Sequence, residues 1–242
     1  IGSFYGFRYL GVYPSDEDAY AKNEAGETIM DSEGNPVPMT YNEVYQFKGG
    51  DAMYEDRNHD GKIDIMDVVY IGDSNPEVTG GFGSSVNYKQ FSASVNFHYR
   101  LGFDIVNMVA MDTEGMLDRN NQSLATINRW KRQGQEEEGL LPRAYINHPA
   151  NNLGSDRYVE RGDFLRLNSL NISYRVDRRI AKKFNLNGLE IRAVMRNLLT
   201  FTNYTGQDPE IARVSTNPFF LGADRAQTPP SKIYSLAVNM NF

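Results

Sequence analysis

Residues 56–67, DRNHDGKIDIMD, place oxygen-bearing groups at intervals that suit a single hard metal ion. Asp56, Asn58 and Asp60 would offer side-chain oxygens, Lys62 its backbone carbonyl, Asp64 an oxygen directly or through water, and Asp67 the closing carboxylate. Gly61 stands where such a loop must turn sharply. Calcium takes about six to eight oxygens, and this spacing lets one short loop wrap the ion. The closing position usually carries Glu, so the shorter Asp67 needs the backbone to come nearer. The same residue types also form polar turns with no metal. The spacing predicts a structural Ca2+ site. Adjacent glycines at Gly49 and Gly50 oppose a preceding helix, which argues against a paired helix-loop-helix domain.

Other chemistry finds no support. There is no cysteine, which excludes thiolate metal sites, thiol nucleophiles and disulfides. His59, His98 and His148 are scattered, no HExxH is present, and neither GxSxG nor a phosphate-cradling glycine loop occurs. The expectation is therefore a protein that is not an enzyme. A net charge of −6 with no long basic tract argues against nucleic acid as a partner. Arg161-Gly162-Asp163 reads as the approach to a strand, since three-residue matches are common. The run KRQGQEEEG at 131–139 reads as a solvated charge run, and Trp130 beside it as a packing anchor or a surface for a sugar.

The elements that must carry these residues are strands. No apolar run approaches the roughly 20 residues of a spanning helix; the longest are VVYI (68–71) and MVAM (108–111). The start IGSFYGFRYLG does not read as a signal peptide, so the chain is expected to be mature or the tail of something longer. Segments 78–88, 91–103, 168–176, 189–201 and 231–242 alternate apolar and polar residues with period two. In 91–103 one face carries Phe91, Ala93, Val95, Phe97, Tyr99, Leu101 and Phe103, and the other carries Ser92, Ser94, Asn96, His98 and Arg100. That stripe is long for a soluble strand, whose usual length is about 5–6 residues. The connections alternate as well: two residues at 89–90, a long one at 104–163, a short one at 177–188, and a long one at 203–230. Long loops count against a compact soluble domain but are expected outside an outer-membrane barrel. Five strands cannot close a barrel, since the smallest have about 8.

With these strands, the stretches IGSFYGFRYLGVY (1–13), DRNHDGKIDIMDVVYIGDSNPEVTGGFGSSVNYKQF (56–91), YVERGDFLRLNSLNISY (158–174) and YSLAVNMNF (234–242) resemble the C-terminal region of the SusC/RagA family of TonB-dependent outer-membrane transporters of Bacteroidetes. The resemblance implies an all-β fold: the last antiparallel strands of a transmembrane barrel of about 22 strands. It implies an extracellular region at 1–77 holding the calcium-type loop, and five transmembrane strands in 78–242 with extracellular loops at 104–163 and 203–230. It also implies TonB-dependent uptake of glycans or peptides, with a SusD-like surface lipoprotein as lid. The other expected partners are the rest of the barrel and plug, TonB through the missing N-terminal part, and outer-membrane lipid. The competing expectation is a soluble, calcium-stabilised β-sandwich serving as an adhesin or glycan-binding module.

Overall fold

A computed structural model describes residues 2–137, 139–210 and 222–242. The described residues divide into two units, one comprising 2–74, 105–160 and 222–225, the other 75–104, 161–210 and 226–242. Residues 211–221 of the expected connection 203–230, and Glu138 of the charge run, lie outside the described residues.

The second unit is built on five long antiparallel strands: β1 (Val78–Tyr88), β2 (Phe91–Leu101), β3 (Phe164–Arg175), β4 (Gly188–Thr202) and β5 (Ile233–Asn241). Their order in the sheet is β5-β4-β3-β2-β1, so each strand pairs with its sequence neighbour. Two residues join β1 to β2, and the first, Lys89, has φ +53°, the sign that a two-residue hairpin turn demands. Between β3 and β4 the chain makes a helical turn, Arg178–Lys182, whose first amides are met by the Asp177 carboxylate (Arg179 N–H to Oδ1, 2.8 Å).

Register carries the alternation of single strands across the whole sheet. Val86, Ala93, Ile172, Ala193 and Leu236 are successive cross-strand partners, as are Tyr88, Phe91, Tyr174, Ile191 and Val238. Partners share a face, so these rows are apolar from edge to edge. The alternate rows read Ser85, Ser94, Asn171, Val194, Ser235 and Asn87, Ser92, Ser173, Arg192, Ala237. One face is therefore apolar and the other mostly polar. Aromatic pairs tie the apolar face together, with ring centroids 5.1 Å apart for Phe82–Phe97 and 4.6 Å for Phe91–Tyr174.

The register shifts between Leu167 and Ser169, where Asn168 is inserted against β2. A bulge of this kind exchanges the faces of every residue beyond it. It puts Leu165 and Leu167 beside Tyr99 and Phe97 on the apolar face, and Phe164 and Arg166 beside Arg100 and His98 on the polar one.

The first unit has short strands around a core that includes Tyr13, Met39, Phe47, Tyr54, Ile63 and Leu153. Segment 105–160 belongs to this unit and is not a bare loop. It contains the helix Met108–Glu114 and several 3-10 turns, and its Asn151 accepts a hydrogen bond from the Ala52 amide (2.9 Å). Among the described residues no helix is long and apolar enough to cross a membrane.

Candidate functional site

The loop 56–67 is folded by its own carboxylates. Asp56 accepts from the amides of Gly61 (2.8 Å) and Asp60 (3.3 Å), and Asp60 accepts from the amide of Lys62 (2.9 Å). Asn58 accepts from the Asp60 amide and donates through Nδ2 to the Asp60 carboxylate (3.0 Å). Asp64 caps the short turn Ile65–Asp67 by accepting from the Met66 amide (2.7 Å). Asp67, 1% exposed, is the clasp: its oxygens accept from Arg57 N–H and Asp64 N–H, both at 2.9 Å, so the loop's two ends meet on one side chain. The Lys62 ammonium is drawn away to Glu43.

Among the described residues, no three histidine or acidic side chains come together as a metal-holding group, and Asp56, Asp60, Asp64 and Asp67 have no salt-bridge partner. Burial holds the Asp56 carboxyl above its ordinary range; the Gly61 amide opposes this, and the nearby Asp67 charge adds to it. Four uncompensated carboxylates and one amide oxygen within twelve positions are a hard-oxygen donor set, which fits calcium in chemistry. Their present organisation comes from backbone amides.

The other sequence features fall into plain places. Trp130 donates from Nε1 to the Pro14 carbonyl (3.0 Å) and lies so close over Gly50 that a Cβ there would stand 2.4 Å from its ring, so it is a packing anchor. The charge run beside it is partly tied down: the Gly134 amide donates to Pro14 and the Gln133 side chain accepts from the Asp16 amide. Arg161 and Asp163 pair with one another (3.1 Å) immediately before β3. His148 stacks on Tyr145 at 4.8 Å, and His59 sits exposed in the calcium-type loop.

On the sheet, the polar face forms a depression lined by Ser85, Asn87, Ser94, Asn171, Arg192 and Arg196. Its side chains bond to each other across strands, as Asn171 to Ser94 (3.2 Å) and Asn96 to Ser169 (3.0 Å). Beyond the bulge the same face carries a charged cluster that periodicity alone does not reveal. Arg166, 2% exposed, donates to Asp208 through Nη2 and to Glu210 through Nη1 (3.0 Å). Glu210 also meets His98 (3.4 Å) and Arg100 (3.3 Å). The segment after β4 is thereby held against the polar side of β2 and β3.

Paired strands with one polar face and one apolar face left exposed fit the wall of a β-barrel, the fold of TonB-dependent receptors. No family model matches the chain. It is 26% identical over 249 residues to TonB-dependent receptor P3 of Formosa agariphila, covering all of this chain and 22% of that one. TonB-dependent receptor P39 of the same organism is 26% identical over 266 residues, covering all of this chain and 25% of that one. The structure of the RagAB peptide importer in its closed-closed state superposes with a TM-score of 0.67 at 22% identity, covering 99% of this chain and 23% of that one. A further structure, of the RagAB peptide transporter, gives 0.68 at 21%, covering 99% of this chain and 22% of that one. The resemblance to TonB-dependent receptors thus runs the length of the chain, which spans about a quarter or less of those relatives.

Proposed function

We propose that the chain is a wall segment, with its outer loops, of a TonB-dependent outer-membrane importer whose external mouth is closed by a SusD-like lipoprotein. The cargo on this reading is an oligomer, a peptide or a glycan, and RagAB's description as a peptide importer supports the former. The observation that carries the reading is the set of apolar rows running unbroken across five strands, of which the two outer ones pair on one side only among the described residues. A soluble sandwich would cover that face with a second sheet, yet Phe82, Val86, Tyr234 and Leu236 are between 56% and 74% exposed. In a barrel, lipid covers them and neighbouring strands of the complete receptor pair the edges. The barrel is of the plugged kind, of about 22 strands. The wall and loops supply shape and cargo contacts; coupling to TonB belongs to other parts of the receptor. Cells depending on an oligomer for growth test this: deleting the complete receptor should abolish its uptake, and unchanged growth on every peptide and glycan tried would overturn the reading.

The loop 56–67 holds Ca2+ on this reading, through Asp56, Asn58, Asp60, the Lys62 carbonyl, Asp64 and Asp67, as a structural brace outside the cell. Bound calcium would offset the charge of the loop's four carboxylates. Chelation should raise amide exchange within 56–67 while leaving the five strands protected, and Asp60→Ala should make the loop indifferent to chelator. Equal exchange with and without calcium in the parent protein would remove the metal from the assignment.

A further inference from the structure

Above the pair Arg196↔Ile233, β4 and β5 are no longer partners, although β4 runs on to Thr202. A cavity of about 340 Å³ lies there, lined by Arg166, Asp208, Gln207, Thr200, Asn197 and Lys232 among others. Arg166 is nearly fully buried, and its hydrogen bonding is incomplete. Both terminal nitrogens are used, but Nε has no partner. A guanidinium binds a carboxylate best through two parallel N–H groups. Asp208 meets Nη2 with Oδ1 alone, and that same oxygen also accepts from the Glu210 amide (2.9 Å). Buried donors in native proteins are nearly always matched, so an orphan beside a cavity marks a missing acceptor. Lys232, in the same cavity, has no salt bridge among the described residues.

We propose that this cavity is a carboxylate-binding subsite in which Asp208 is a place-holder. A ligand carboxylate would take Nη2 and Nε of Arg166 together and meet the Lys232 ammonium, displacing Asp208. Glu210 would keep its hold on Nη1, His98 and Arg100, so only the Gln207–Asp208 end of the strap is released. The carboxylate belongs to a peptide or to an acidic sugar; the choice rests on the importer reading, but binding itself is measured without transport.

The test uses the complete receptor in detergent. One pair of probes is an acetylated neutral tripeptide acid and its C-terminal amide; the other is an oligouronate and its carboxyl-reduced counterpart. In one pair the acid should bind at least about tenfold more tightly than its neutral form, the scale of a charge-assisted hydrogen-bond pair. Binding should quicken amide exchange at Gln207 and Asp208. Lys232→Met should weaken acid binding and Asp208→Asn should tighten it, because the internal competitor is gone. A strap that is only structural predicts the reverse for Asp208→Asn. Acid and neutral probes binding alike in both pairs would overturn the proposal, whatever uptake experiments show; so would unchanged acid binding in Lys232→Met, an exposed position where folding is not at risk.

Discussion

At Gly61 the backbone has φ +80°, and a Cβ there would stand 2.9 Å from the Ala21 Cβ. Both the dihedral and the space therefore exclude a larger residue. Gly61→Ala should cost about 1–2 kcal/mol locally, read as faster exchange at the Asp60 and Lys62 amides. An unchanged exchange rate would mean the turn is not held in this shape. The loop's composition announced its turns in advance, because Asp and Asn at every second position satisfy amides two residues on. What the spacing did not disclose is that Asp67 spends both oxygens on the amides of Arg57 and Asp64. Arg166 was hidden for a different reason. Its partners Asp208 and Glu210 are some forty residues away in sequence, and no local pattern links them.

The strands were the most legible elements, since alternation along one chain and register between chains follow from the same two-residue pleat. Their failure point is Asn168, where one inserted residue reverses the faces and makes Arg166 point with the polar row. Leu236 and Ser235 test the faces directly, being neighbours on β5 with opposite rows. Leu236→Arg should destabilise the membrane-inserted receptor by about 2–4 kcal/mol, while Ser235→Arg should be near neutral. Equal effects in unfolding from bilayers would contradict the facing. The connection 104–163 reads from sequence as a long loop because its elements are short, and short elements carry weak periodicity. In it, Glu114 ends the helix Met108–Glu114. Burial lifts its carboxyl above the ordinary range, Arg157 opposes this, and Glu160 adds to it. The folded form therefore holds the proton more readily than the unfolded one. The penalty is absent below the unfolded value of about 4.3 and grows as pH rises through the raised, folded one. Glu114→Gln should protect this helix from exchange at neutral pH and make no difference near pH 3, whereas a pH-independent gain would assign the effect to something other than charge.

For the whole molecule, the proposed barrel wall accounts for both the apolar face and the edges of the sheet. Among the described residues the outer strands of the five-stranded sheet pair on one side only, and such edges beside a broad exposed apolar face are unfavourable in water. Placed in a barrel wall, the same features become ordinary: edges pair, the apolar rows meet lipid and the Ser, Asn and Arg rows meet an aqueous interior. The chain contains no cysteine, so single cysteines can be introduced into it without interference. The most direct measurement places one cysteine at a time from Tyr234 to Asn239 in the complete receptor, in native outer membranes. Each is then challenged with a water-soluble thiol reagent and with a lipid-dissolved one. Positions 235, 237 and 239 should react from water and 234, 236 and 238 from lipid, in strict alternation. Uniform reaction with the aqueous reagent at all six positions would contradict the membrane-wall assignment.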